Sequence, residues 1–264
     1  IANYKKIERF FKNCSYVFHM AALADIVPSI ENPEKYYRTN VTGTLNILRA
    51  SKKFGIKKVL YAASASCYGV VKKFPTNEKN KIMTEYPYAL TKNLGEQLMT
   101  HWSKVFKLST ICLRLFNVYG TGQRSDGAYA AVIPKFADLM ARGIAPNIDG
   151  DGLQTRDFIH VSDVCCAIMA LVDGQCKSEQ YYVYNVATQT KITLLDLVAE
   201  INNSLTQIMS DFRPLVPTHG PERIGDVRHS MANIERISTN LGWSPSKNFK
   251  QGIHELILER TKMM

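Results

Sequence analysis

Along the first two-thirds of the chain, short runs of apolar residues alternate with longer stretches in which apolar positions recur every three or four residues. Residues 58–64 and 109–115 are nearly continuous apolar runs, the pattern of strands buried on both faces of a parallel sheet, and 15–20 reads as a third strand. Between them the period lengthens. Residues 4–13 carry apolar side chains at helical spacing, and 34–54 places Tyr37, Val41, Leu45 and Leu48 on one stripe, with Gly55 as its stop. A third helix spans 87–106, opened by Pro87, which suits a first helical turn. Strand and helix thus alternate, and the fold class predicted is α/β, a doubly wound Rossmann-like parallel sheet.

After residue 116 the rhythm changes. A glycine-rich polar loop over 117–127 precedes a helix at 129–142 and a second such loop at 146–152. Residues 156–161 read as a strand, 162–173 as an apolar helix that Ser162 can cap, and 182–186 as a strand that rejoins the sheet. Helices near 194–208, 232–241 and 249–262 complete a smaller C-terminal lobe. The expected division is 1–116 plus 153–187 in one domain and 117–152 plus 188–264 in the other.

Composition narrows the function classes. The chain has 264 residues, 45% apolar and 21% charged, as an ordinary globular protein does, with no apolar run of membrane-spanning length and no signal-peptide layout at Ile1–Lys6. A cytoplasmic protein without membrane contact is expected. The six cysteines form no Cys-x-x-Cys pair and no zinc-type spacing, so no metal site is expected and the thiols read as reduced. The formal charge of +10 comes from scattered lysines without interleaved aromatics, which argues for a solvated basic surface rather than a nucleic-acid partner, and is compatible with anionic small ligands.

The candidate chemistry lies at the end of the 58–64 strand. Ser64 stands at its carboxyl end, where open α/β sheets keep their ligands. Tyr88 and Lys92 are about one helical turn apart and share a face near a helix N-terminus. A neighbouring cation and the positive end of a helix both favour a phenolate, which would make Tyr88 a proton acceptor. A Tyr-x-x-x-Lys pair arises readily by chance among thirteen tyrosines, so the strand-end serine carries much of the weight. Gly43 within a helix costs about 1 kcal/mol relative to alanine; close packing or a polar Asn40 beneath the site would account for that segment.

The motifs in order are His19–Ala22 after a strand, Asn40-Val-x-Gly43-Thr44, Ser64–Gly69, Tyr88-x-x-x-Lys92, Leu113–Gly120, Arg156-Asp157-Phe158 and Arg223-x-Gly-Asp226. Together they resemble the extended short-chain dehydrogenase/reductase family, in particular its NAD-dependent epimerase/dehydratase group acting on nucleotide sugars. The resemblance covers nearly the whole chain and implies NAD as cofactor, a UDP-sugar as substrate and a homodimer packed through the helices near 34–54 and 88–106. It implies Tyr88 as acid/base, Lys92 holding the nicotinamide ribose and lowering the tyrosine pKa, and Ser64 bonding the reacting hydroxyl. Ala21, Ala22, Asn40 and Leu115 fall at cofactor positions. Ser66, Asn117, Val132, Arg156, Arg223, Asp226 and Ser230 fall at substrate positions, the arginines on phosphates.

Dehydratases of this group resemble one another in an acidic residue just after the strand-end hydroxyl, and this chain has Ala65 and Ser66 there. The resemblance therefore implies 4-epimerisation through a 4-keto sugar. Ser230 matches a position beside the sugar C2 substituent, and a small residue there leaves room for N-acetyl, implying UDP-GlcNAc/UDP-GalNAc. A dehydratase, reductase or decarboxylase of the same group stays open, as does a nucleotide-sugar-binding protein without activity. One departure stands out. The family's Gly-rich strand-to-helix turn and the acid after its next strand have no counterpart: Gly120-x-Gly122 and Gly150-x-Gly152 come too late. The resemblance implies that roughly the first 50–60 residues of such a protein would precede Ile1.

Overall fold

The computed structural model describes residues 1–71, 73–125, 131–173, 181–222 and 227–262. Four parallel strands form its main sheet: β1 (Tyr16–His19), β2 (Lys58–Ser64), β3 (Ser109–Leu115) and β4 (Tyr181–Val186), in the order β1-β2-β3-β4. Six of the seven β2 residues are buried, as are six of the seven in β3, which is why both read as unbroken apolar runs. Among the described residues β1 pairs only with β2, and its Tyr16 and Phe18 are exposed.

Side-chain alternation divides the core between the two faces of the sheet. Val59, Tyr61, Ala63, Cys112 and Val183 pack with Leu48 and Ala50 of the Gly43–Lys53 helix and with Met99 and Trp102 of the Pro87–Phe106 helix. Leu60, Ile111, Leu113, Tyr184 and Val186 pack on the opposite side with Val164, Ala167 and Leu171 of the Val161–Asp173 helix and with Ile237 and Trp243. A separate cluster joins the Val132–Ala141, Leu194–Ile208 and Phe249–Thr261 helices through Phe136, Met140, Ile201, Leu205 and Leu256. Small parallel pairs, Asn117–Tyr119 with Phe158–His160 and Asn147–Asp149 with Thr218–Gly220, knit this part together.

The strand expected over 156–161 divides into Thr155–Arg156 and Phe158–His160, and the next helix begins at Val161, so Ser162 lies within it and does not cap it; three other elements also depart from expectation. The segment expected as a helix over 4–13 divides into an α-turn, Tyr4–Ile7, and a 3-10 turn, Glu8–Phe11. Between β1 and the 34–54 segment, where the sequence predicted no element, lies a helix, Ile26–Glu31. The helix over 34–54 is interrupted by a π-helical turn at Tyr37–Thr42, because the buried Asn40 side chain bonds outside the helix: Nδ2 donates to the Leu23 carbonyl (3.0 Å) and Thr91 Oγ1 (3.0 Å), and Oδ1 accepts from the Leu23 amide (2.9 Å). Gly43 follows it, and a Cβ there would sit 2.6 Å from the Ile1 side chain, which would have to move aside.

A buried ion pair fixes the Pro87–Phe106 helix to the sheet. Arg114 of β3 donates Nε to Glu96 Oε2 (2.9 Å) and Nη2 to Oε1 (2.6 Å), and its Nη1 donates to the Tyr68 hydroxyl (2.8 Å), which donates to Asn185 Oδ1 (2.7 Å) in β4. Removing one partner would strand a buried charge. Arg114→Leu is expected to lower unfolding stability by about 3–5 kcal/mol, measured by urea denaturation.

Candidate active site

The site is assembled around the turn that ends β2. Ser64 caps a 3-10 turn, Ala65–Tyr68, by accepting the Ser66 amide on Oγ (3.2 Å), and the Ser66 hydroxyl donates to the same oxygen (2.8 Å). The turn closes at Gly69, whose φ of +62° disfavours other residues; a Cβ there would lie 2.1 Å from the Met83 carbonyl oxygen. Met83 in turn donates its amide to the Cys67 carbonyl (2.9 Å), so 83–85 runs against the turn.

Across from it the Pro87–Phe106 helix begins. Its Tyr88 amide donates to Ser29 Oγ (3.1 Å) of the Ile26–Glu31 helix, satisfying one of the groups a helix N-terminus leaves open. Burial raises the Tyr88 phenol above its ordinary pKa, opposed by a hydrogen bond with Ser64. Lys92 is buried and its Nζ donates to the Ala62 carbonyl of β2 (2.7 Å); desolvation brings its pKa down to about 8. The expectation that Lys92 lowers the tyrosine pKa is not met in this form, because burial governs the phenol and the ammonium is turned to the sheet.

The Ala21–Ala22 loop leaves β1 beside this helix. Leu23 is held by Asn40, and Asn40 by Thr91, next to Lys92. Beneath them His19 is buried against the Tyr61 ring, with its pKa pushed down to about 3 by desolvation. Thr44 Oγ1 donates to the Asn40 carbonyl (2.6 Å), so it is left to accept from His19 Nε2 (2.8 Å), a neutral imidazole in a structural role.

Two adjoining clefts open along this assembly. One, of about 270 Å³, is lined by Ser64, Ser66, Leu115, Asn117, Arg156 and Ser230. The other, of about 230 Å³, shares Asn117 and Arg156 and is bounded by Val132, Lys135, Phe136, Asn147 and Gln154. Arg156 therefore stands at their junction, its Nη1 donating to the Val227 (2.6 Å) and Thr155 (3.0 Å) carbonyls, while Asn117 Nδ2 donates to the Asp157 carbonyl (3.1 Å). Asp157 is fully buried and receives the amides of Thr188, Gln189 and Ala232, which ties this wall together. Arg223 and Asp226 lie outside the described residues. Sequence reasoning missed Ile26, Glu85 and Tyr86 in the first cleft and Lys135 in the second; only the position of 85–86 immediately before Pro87 hinted at any of them. Among the described residues no cluster of His, Cys, Asp or Glu could hold a metal, and no helix is long and apolar enough to cross a membrane.

This arrangement, a serine at a strand end facing a tyrosine and lysine on the next helix, is matched by the sequence profile of the NAD-dependent epimerase/dehydratase family over residues 1–187. The chain belongs to that family. Among solved structures, the UDP-N-acetylglucosamine 4-epimerase from Methanobrevibacter ruminantium in complex with UDP-N-acetylmuramic acid is 32% identical with a TM-score of 0.90, over 98% of this chain and 80% of that one. The UDP-glucose 4-epimerase of Thermotoga maritima with UDP-glucose is 29% identical, TM-score 0.91, over 99% and 82%. MoeE5 in complex with UDP-glucuronic acid and NAD is 30% identical, TM-score 0.86, over 98% and 83%.

The residues present fit the nicotinamide end of the family's cofactor: small Ala21 and Ala22, a loop held by Asn40, and the buried Lys92 ammonium one helical turn from Tyr88. The lysine carries a cost. Its pKa is lowered in the folded state, so the penalty for burying the cation is full at neutral pH and fades as pH rises from about 8 to 10.5, where the folded chain has released the proton that the unfolded chain still holds. Lys92→Met is expected to be more stable than the parent at pH 7, by up to about 3 kcal/mol, with the gap closing across that window in pH-resolved chemical denaturation.

Proposed function

We propose that this chain is a UDP-sugar 4-epimerase with NAD as cofactor, acting on UDP-GlcNAc and UDP-GalNAc. What carries the reading is the junction of the two clefts at Arg156 and Asn117: a charged, fork-shaped donor lies between a cleft that holds the proton-transfer pair's serine and a second, more distant cleft. A diphosphate at that junction leaves the hexose beside Ser64 and the nucleoside beside Val132 and Phe136. Arg223 and Asp226 belong to the same substrate set by their motif. In this reading residues 1–116 with 153–187 carry the dinucleotide and 117–152 with 188–264 carry the sugar nucleotide.

The chain's own residues supply binding and proton transfer. Ser64 bonds the sugar C4 hydroxyl and aligns it on Tyr88, whose phenolate oxygen takes the hydroxyl proton and later returns it. Lys92 holds the ribose next to the ring that reacts. When bound, NAD supplies the acceptor and donor of the C4 hydride and a positive ring charge beside the phenol. The 4-keto sugar, presenting its other face, is reduced to the epimer. Ala65 and Ser66 offer no carboxyl group for eliminating water, which supports epimerisation over dehydration, and the small Ser230 on the cleft wall supports an N-acetyl substituent at C2.

A homodimer through the outer faces of the helices near 34–54 and 88–106 belongs to this reading, supported by exposed Tyr37, Val105 and Phe106. Free thiols at the five described cysteines support a reducing, cytoplasmic setting.

Incubating the NAD-loaded protein with UDP-GlcNAc and following products by NMR is expected to yield UDP-GalNAc. Turnover of UDP-glucose with none of the N-acetylated sugar would overturn the substrate assignment. Tyr88→Phe is expected to cut turnover by about 10²–10⁴-fold with unchanged thermal stability; full activity in that variant would overturn the mechanism.

A further inference from the structure

Glu85 is the acidic residue lining the cleft that holds Ser64 and Ser66, and the reaction proposed above makes no use of it. Its position is built by the fold. The amide of Met83 bonds the Cys67 carbonyl, laying 83–85 along the catalytic turn, and the Val70 amide donates to Glu85 Oε1 at 3.4 Å. Gly69 makes room for this approach: a Cβ at that position would lie 3.3 Å from Glu85 Oε1 as well as striking the Met83 carbonyl. Glu85 therefore stands at the exposed edge of the cleft beside the Ser64–Gly69 turn, whereas the guanidinium of Arg156 stands on the wall that adjoins the second cleft.

The two charges orient a nucleotide sugar. Its diphosphate is drawn to Arg156, and its hexose is left against the turn and Glu85. In a hexose the exocyclic C6 is bonded to C5, the ring atom next to the reacting C4, so whatever C6 carries stands close to the group that meets Ser64. A hydroxymethyl group there can donate a hydrogen bond to the carboxylate. A C6 carboxylate would meet a like charge; Glu85 is exposed, so the repulsion at roughly 5 Å is screened by water and modest. Discrimination built on repulsion of the wrong partner is a common source of specificity.

Resting on the 4-epimerase reading, we infer that Glu85 is a specificity residue: it selects UDP-sugars with an uncharged C6 and rejects UDP-hexuronates. The related MoeE5, bound to UDP-glucuronic acid, shows that uronates are within reach of this fold, so the distinction has to be made by side chains of the cleft.

The test uses the NAD-loaded protein, UDP-glucose, UDP-glucuronate and UDP, with Glu85→Gln and Glu85→Lys beside the parent. In the parent, UDP-glucuronate is expected to have kcat/KM and calorimetric affinity at least about tenfold below UDP-glucose. Glu85→Gln should narrow that ratio by about tenfold, equivalent to about 1.4 kcal/mol, and Glu85→Lys should narrow it further, chiefly through a gain for UDP-glucuronate. High salt should shrink the parent's discrimination. An unchanged ratio in both variants would overturn the inference. So would equal loss of turnover for both sugars, or a dehydrated 4-keto product that disappears in Glu85→Gln, since Glu85 would then act in the chemistry. The binding arm separates the two levels: if no sugar is epimerised yet the affinity ratio shifts as described, the charge screen stands and the epimerase reading falls. Failure of UDP itself to bind overturns both.

Discussion

The rest of the site depends on how the Pro87–Phe106 helix is held against the sheet, and the bidentate pair of Arg114 with Glu96 is what holds it. Tyr88, Lys92 and Glu96 are each one turn apart, so they form a single line along the helix. Glu96 is bonded to β3, Lys92 reaches the Ala62 carbonyl of β2, and the Tyr88 amide is met by Ser29. The line is therefore fixed at three levels. Arg114 extends the same contact through Tyr68 into the turn that carries Ser64, so helix and serine are positioned by one network. Desolvating two charges gains little net stability; what it gains is a single register of helix on sheet.

Burial then sets the electrostatics. It raises the Tyr88 phenol and lowers the Lys92 ammonium, bringing two groups that ordinarily titrate far from neutrality into an environment where a bound cation can change their state. Such a site is costly to the folded chain, which is the usual relation between stability and function. Charged residues of both signs line the clefts: Arg156 and Glu85 the first, Arg156, Lys135 and Asp149 the second, and in the proposed reading Arg156 draws the diphosphate while Glu85 stands at the hexose end.

Strongly periodic elements were legible residue by residue. Strands β2 and β3 and the helix after Pro87 have the limits read from the sequence, because unbroken apolar runs and a proline in the first turn are local signals. The helix Leu194–Ile208 was equally clear, and a capping box between Thr193 and Asp196 starts it. The π-helical turn at Tyr37–Thr42 was not legible. It arises because Asn40 bonds Leu23 and Thr91, residues far from it in sequence. Tyr88 and Lys92 were found by spacing, yet the direction of the Tyr88 shift was not, since spacing reports proximity and says nothing of which carbonyl an ammonium will choose.

By itself the sequence determined the α/β alternation, the order of the family motifs and the identity of the serine, tyrosine and lysine, all of which are written in local patterns of a few residues. The tertiary structure alone decided what those patterns meet. Glu85 reads as one more charged residue in a polar loop until Met83 pairs with Cys67 and Gly69 gives way, and only then does it stand at the edge of the cleft. Its effect on a ligand, like the state of Tyr88, comes from through-space electrostatics and burial, and these depend on distances between segments that no local pattern encodes.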